Sequence, residues 1–227
     1  MKRIVVLALS VLLAACAGGS GGPPAFQPKL ANPSAIIAAE IAFNRLAQEK
    51  GQWTAFRETA AKDAVMFVPQ PVMAQEWLKG KADPAVSVKW QAHKAFMSCD
   101  GKTGVTTGAA QFADGRQAYF TTVWQLFQRS PQDAGEWKWV VDHADVIGQA
   151  RAAPEMIETR VANCKGMPPA IVQAPPEGAK MKMGLSRDQS LNYTWVVQPG
   201  GARTLEVKLW NGQSHDSVLL DRTTAAR

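Results

Sequence analysis

GEWKWVVDHAD, residues 135–145, is the clearest strand signal in the sequence. Its aromatic and β-branched residues favour an extended backbone, and a Ser/Pro/Gly-containing loop precedes it, so we expect a strand over residues 136–147. Regular alternation of side chains would leave Asp142 on one face of this strand. The opposite face would carry Trp137, Trp139, Val141, His143 and Asp145.

The residues before this strand predict helices followed by an antiparallel meander. Apolar residues at helical spacing, with Ser34 as the expected cap, indicate the first helix, and Asp114-Gly115 is a hairpin turn signal. The predicted helices cover residues 35–50, 53–62 and 74–80, and the predicted strands cover 63–68, 86–98, 103–112 and 117–129. Helices followed by a meander are typical of an α+β domain.

The residues after this strand give a weaker signal. A short helix is expected over residues 154–162, and a proline-rich linker over 166–178. Three β-like runs then follow, at 192–198, 203–210 and 217–221. Three strands are near the lower limit for independent stability. We therefore expect this small C-terminal β-meander to pack on the main domain or to pair with one of its edges.

Residues 34–148 resemble the nuclear transport factor 2-like superfamily, which includes ketosteroid isomerase-like and polyketide cyclase-like proteins. The similar segments are AEIAFNRLAQEKG at 39–51, QWTAFRETAA at 52–61, KDAV at 62–65, and the 135–145 stretch, where a Trp is followed six residues later by a His. The resemblance implies a cone-shaped curved antiparallel sheet wrapped by N-terminal helices, with a pocket at its open end. Members range from isomerases and dehydratases to pure binding or assembly modules, so the fold alone does not give the function.

The resemblance also implies that His143 points into the cone. There His143 could act as a general base, with Asp145 on the same face of the strand. Tyr119 completes the candidate catalytic set as a hydrogen-bond donor. The alternative is a structural His143 that is hydrogen-bonded to the backbone or to Tyr119.

Aromatic and soft side chains supply candidate ligand-binding residues, because ligand sites are mostly apolar with few polar groups. The candidates are Phe43, Met66, Trp90, Trp124 and Trp139. The alternative is that these residues form ordinary core.

The N-terminus reads as an export signal. Lys2 and Arg3 precede a short apolar run, which is too short to span a bilayer. Leu13-Ala14-Ala15-Cys16 resembles the lipobox of bacterial lipoproteins, which implies a signal peptide at 1–15 and lipid on Cys16. Ala17 is not the Asp that favours inner-membrane retention, so we expect the outer membrane, facing the periplasm. The alternative is a plain secreted protein.

Composition excludes several functions. The formal charge is +6 over 227 residues, and the charges are interspersed, so neither a basic patch nor a recognition motif indicates nucleic acid. The three His residues lie far apart, and no metal or cofactor is expected. Cys99 and Cys164 remain after the lipid site. In an oxidising compartment they can form a disulfide, and the alternative is two separate buried thiols.

Five segments therefore make up the expected organisation. They are the signal peptide at 1–15, a flexible tether at 16–33, the cone domain at 34–150, a helix and proline-rich linker at 151–180, and the C-terminal β segment at 181–227. We expect a lipid-anchored envelope protein whose cone binds a small apolar ligand or an envelope partner without catalysis. The alternatives are an isomerase-, dehydratase- or cyclase-type enzyme using His143, and a structural envelope assembly protein. A homodimer is compatible with the sequence.

Overall fold

The computed structural model describes residues 31–130 and 132–225, which form an α+β fold with two sheets. The helices are α1 (Ser34–Lys50), α2 (Gln52–Thr59) and α3 (Ala74–Leu78). The strands are β1 (Ala60–Phe67), β2 (Pro71–Met73), β3 (Lys89–Met97), β4 (Thr103–Gln111), β5 (Gln117–Phe127), β6 (Glu136–Ile147), β7 (Glu158–Val161), β8 (Lys180–Leu185), β9 (Leu191–Val197), β10 (Arg203–Trp210) and β11 (His215–Thr223).

α1 follows from the stripe of residues that it buries. Ile36, Glu40, Phe43 and Ala47 recur at helical spacing and are all buried. The expected cap at Ser34 is wrong, because Ser34 is already helical and makes no side-chain cap bond. Its backbone N–H donates instead to the side chain of Asn32, so the polar group that satisfies the helix start lies two residues earlier.

The larger sheet has seven strands in the order β2-β1-β6-β5-β4-β3-β7. The meander β3 to β6 is antiparallel, while β1 joins β6 and β7 joins β3 in parallel. This curved, unclosed sheet carries α1 and α2 on one face, called the helix face below. The predicted cone-like α+β class is confirmed.

A β-bulge in β6 changes which side chains face the helices. Trp139 pairs with Trp124, but Val141 pairs with Val123, so Val140 is an extra residue. One extra residue reverses the alternation beyond it. Trp139 and Asp142 therefore share the helix face, whereas regular alternation placed them on opposite faces.

The smaller sheet is an antiparallel meander in the order β11-β10-β9-β8. It packs against the face of the larger sheet that lies opposite the helices. Three contacts across this interface are Arg203 with His143, Thr223 with Tyr119, and Trp195 with Phe67. The expectation that the C-terminal meander packs on the main domain is confirmed.

The helix expected over 154–162 is wrong. Part of that segment is β7, because its backbone pairs with β3 from Lys94 to Met97. Sheet pairing thus overrides a weak local helix preference. Within the described residues, no helix has both the length and the apolar character needed to cross a membrane.

Candidate functional site

A cavity of about 320 Å³ lies between the helices and the helix face of the larger sheet. Its volume falls at the lower end of the roughly 300–1,000 Å³ range of ligand pockets. Most of its lining is apolar, from α1, α2, β1 and the meander strands. The aromatic residues among the lining are Phe43, Trp53, Phe56, Phe67, Trp90, Phe112 and Phe120.

Tilted and edge-on aromatic contacts hold several of these walls in place. The rings of Phe43 and Trp90 have centroids 4.9 Å apart, and those of Phe43 and Phe56 are 4.8 Å apart. Trp53 packs on Phe56 at 5.5 Å. Such pairs add about 0.5–1.5 kcal/mol each beyond the area they bury. The walls are therefore preformed, and a ligand would not have to order them.

Asp142 is an ionisable group among the mostly apolar lining of the cavity. Its Oδ2 accepts a hydrogen bond from the Thr122 hydroxyl at 3.2 Å, and both residues line the cavity. Burial first, and then the charge of Glu40, raise the pKa of Asp142 to about 7. A carboxyl group with this pKa can accept or donate a proton near neutral pH.

Glu40 is a second carboxyl group behind the cavity wall. It is buried, and it accepts hydrogen bonds from Trp90 Nε1 at 2.6 Å, from Trp124 Nε1 at 3.0 Å and from the Thr106 hydroxyl. Burial raises the pKa of Glu40, and these donors oppose that rise only in part. Glu40 thus ties α1 to β3, β4 and β5, and it acts on Asp142 through its charge.

Arg203 and Asp145 are the other charged side chains that line the cavity. Arg203 reaches it from β10, and its Nη2 lies 4.0 Å from Asp145 Oδ2. The guanidinium also donates to His143 Nε2 and to the Ala144 carbonyl. Two of the five N–H donors of Arg203 are thus used in hydrogen bonds within the protein.

The expectation that His143 points into the cone is wrong. His143 is fully buried on the opposite face of β6, beneath the smaller sheet, and it does not line the cavity. Its Nε2 accepts the 3.1 Å bond from Arg203. Burial first, and then Arg203 and Arg151, lower the pKa of His143 to about 3. A buried, neutral imidazole without access to the cavity cannot exchange a proton with a ligand there.

Tyr119 is brought near His143 on that same buried side, whereas Asp145 lines the cavity and is partly exposed. The Tyr119 and His143 rings are 5.7 Å apart, and Tyr119 pairs with Asp145 across β5 and β6. The Tyr119 hydroxyl bonds to Thr223, and burial raises the pKa of Tyr119 to about 12. Tyr119 therefore joins the two sheets instead of facing the cavity.

The five candidate ligand-binding residues divide into two groups. Phe43, Met66 and Trp90 line the cavity. Trp124 and Trp139 do not line it; their indole N–H groups bond to Glu40 and to Thr59. Both are fully buried and belong to the core around the cavity.

The predicted disulfide is confirmed, since Cys99 is joined to Cys164. Cys16 and the signal peptide lie outside the described residues. Among residues 31–130 and 132–225, no three His, Cys, Asp or Glu side chains form a group that could hold a metal ion.

Among the residues that the sequence analysis did not identify are two carboxyl groups, Asp142 and Glu40. Asp142 was assigned to the wrong face because the bulge at Val140 has no signature in the sequence. Glu40 did leave a signal, since a charged residue in the apolar stripe of α1 has to find buried partners. Three donors from the sheet meet that requirement.

No family model and no curated protein matches this sequence. Among solved structures, it is similar to one described as a "putative aromatic ring hydroxylase" from Novosphingobium aromaticivorans. The two share 14% identity over 52% of this chain and 90% of the other, with a TM-score of 0.35.

Proposed function

We propose that this protein binds a small, mostly apolar molecule in the cavity on the helix face. The cavity itself carries the proposal, because it joins aromatic walls to the Asp142 carboxyl group, which can orient a polar end of the ligand. The catalytic alternative that used His143 loses its support, because His143 is buried and does not line the cavity.

A fluorescent probe tests this proposal directly. N-phenylnaphthylamine, a neutral apolar dye, should gain fluorescence when mixed with the full chain. Ala144→Leu should weaken dye binding by about tenfold or more, because Ala144 lines the cavity and the larger side chain fills it. Ala113→Leu, in the exposed β4–β5 hairpin, is the matched control and should bind as the wild type does. Equal binding by both variants would place the dye elsewhere and refute the proposal.

Proton transfer is a second candidate function, favoured by the pKa of about 7 at Asp142 inside an apolar cavity. Its carboxylate would take a proton from carbon next to a ketone and return a proton to it. Deuterium exchange into phenylacetone, followed by NMR in D₂O, tests this. Exchange that the full chain accelerates, and that Asp142→Asn abolishes, would favour an enzyme. If the full chain does not accelerate the exchange, the proton-transfer function is refuted and the binding function remains.

We also propose that the chain is lipid-anchored to the outer membrane through Cys16, on the strength of the lipobox-like residues 13–16. Two or more acyl chains give stable attachment, where one gives only marginal binding. Mass spectrometry of exported protein should show a diacylglyceryl-modified Cys16 at the mature N-terminus, and Cys16→Ser should abolish it. An unmodified Cys16 in the exported wild type would contradict the anchor.

An envelope assembly role, in which the smaller sheet contacts a partner, has less support. Leu205, Val207 and Leu209 of β10 are fully buried within the chain, which leaves little apolar surface on that strand for a partner.

A further inference from the structure

Among the described residues, two interacting carboxyl groups belong to this region: Asp142 lines the cavity, and Glu40 lies behind its wall and acts on Asp142 through its charge. Neither Glu40 nor Asp142 takes part in any ion pair there. Thr122 interacts with both of them. Buried charges in proteins are normally paired or neutralised by a proton.

The two carboxyl groups differ in how well their oxygens are satisfied. Both oxygens of Glu40 accept hydrogen bonds, from Trp90 on one and from Thr106 and Trp124 on the other. Asp142 accepts one side-chain bond, on Oδ2, while its Oδ1 has no such bond within the described residues. Asp142 lines the cavity and is only half-buried, so this oxygen is accessible to a ligand.

Arg203 does not neutralise the Asp142 carboxyl group. Its side chain is 5% exposed, donates to His143 and to the Ala144 carbonyl, and lies 4.0 Å from Asp145. The positive charge of Arg203 thus has the Asp145 carboxylate as its nearby partner. Asp142 has no positive partner among the described residues. The charge balance of the cavity therefore favours a positive ligand.

The walls suit the rest of such a ligand. Phe43, Trp53, Phe56, Trp90 and Phe120 line the same cavity as Asp142. Aromatic faces attract cations by about 0.5–2 kcal/mol, and their area buries hydrocarbon. A compact cation with an apolar body would satisfy the walls and the carboxyl group together.

We infer that the ligand is an apolar amine, bound as its ammonium ion to the Asp142 carboxylate with its hydrocarbon part among the aromatic walls. This inference rests on the binding function proposed above and adds the ligand class. A hydrogen-bonded ammonium–carboxylate pair in a partly desolvated site is stronger than the same contact to a neutral hydroxyl. The cavity should thus distinguish an amine from the alcohol of the same shape.

The affinity should also depend on pH in a defined direction. The charged groups near Asp142 are Glu40 from α1, Asp145 on its own strand and Arg203 from β10. An ammonium ion requires the ionised Asp142, so binding releases its proton. Affinity for the amine should rise as pH increases through about 7, while affinity for a neutral probe should stay level.

Three matched probes test the ligand class on the full chain: phenethylamine, phenethyl alcohol and phenylacetate, each displacing N-phenylnaphthylamine. At pH 8 the amine should bind about tenfold or more tightly than the alcohol. Asp142→Asn should remove that preference and leave the alcohol within about twofold. Asp216→Asn removes a partly exposed carboxyl group on β11 that does not line the cavity, so it is the control and should keep the preference.

The outcomes separate the ligand class from the binding function. If the alcohol binds as tightly as the amine, or if the preference survives Asp142→Asn, the amine inference is overturned while the dye still reports a working pocket. If phenylacetate binds most tightly, Arg203 is the recognition group and the inference is also overturned. If the dye itself fails to bind at the cavity, the proposed function fails with it.

Discussion

Arg203 Nε donates a 3.1 Å hydrogen bond to His143 Nε2 between the two sheets. A guanidinium group only donates, so Nε2 has to accept and the imidazole has to be neutral. Asp142, the preceding residue, lies on the opposite face of the same strand and shows the opposite shift. The pKa of His143 falls to about 3, while that of Asp142 rises to about 7.

These two shifts predict opposing pH dependences of stability. The raised pKa of Asp142 contributes stability that is complete below its ordinary value of 3.8 and is lost as pH rises through about 7. The lowered pKa of His143 contributes stability that is present above 6.5 and is lost as pH falls toward about 3. Each effect is on the order of 4–5 kcal/mol. In the wild type they should largely cancel.

Urea unfolding between about pH 4 and pH 7 checks this. Asp142→Asn removes the loss at higher pH, so its free energy of unfolding should rise with pH more steeply than that of the wild type. His143→Gln removes the loss in acid and should give the reverse trend. Parallel curves for wild type and Asp142→Asn would show that Asp142 does not carry this shift.

Glu40 should be the polar residue whose loss harms the core most. Glu40→Ala leaves the N–H groups of Trp90 and Trp124 without their acceptor, and each unpaired buried donor costs about 1–3 kcal/mol. We expect the free energy of unfolding to fall by roughly 3–5 kcal/mol. Glu40→Gln retains an acceptor oxygen and should lose less. A smaller loss in Glu40→Ala than in Glu40→Gln would contradict this account.

Much of the fold could be predicted from local patterns, while the site could not. Apolar spacing gave α1, and alternating β-branched runs gave the four meander strands close to their observed bounds. The face of Asp142 depends on the bulge at Val140, which is set by pairing with β5 and by the packing of Trp139 on Phe56. Pairing and packing of this kind have no signature in the local sequence. One inserted residue in the strand reverses the face on which every later side chain lies.

Three strands, β2, β7 and β8, were not predicted from the sequence. β2 and β7 are only three and four residues long, and mostly exposed or half-buried, so they lack an alternating apolar pattern. β8 has its Met and Leu side chains only half-buried. Backbone pairing with a neighbouring strand creates these elements, and a single sequence does not encode that pairing locally.

The disulfide should stabilise the chain considerably. Cys99 and Cys164 are 65 residues apart, and closing a loop of this length is worth about 4 kcal/mol in the chain-entropy model. The backbone N–H of Cys99 also donates to Ser190, so the bridge lies beside the contact between the sheets. Replacing both cysteines by serine should lower the urea midpoint markedly. A loss below about 1 kcal/mol would indicate residual structure in the reduced unfolded chain.

His143 supplies the sharpest contrast between a structural and a catalytic role. His143→Ala removes the acceptor of Arg203 and leaves a buried guanidinium less satisfied, so the free energy of unfolding should fall by roughly 2–4 kcal/mol. Affinity for N-phenylnaphthylamine at the cavity should stay within about twofold of wild type, since His143 lies on the other face of the sheet. Thermal unfolding and dye titration on the same preparation measure both quantities. Arg203 both lines the cavity and binds His143. If His143→Ala stays folded but loses dye binding, Arg203 transmits the change to the cavity. His143 would then be a positioning residue for the pocket.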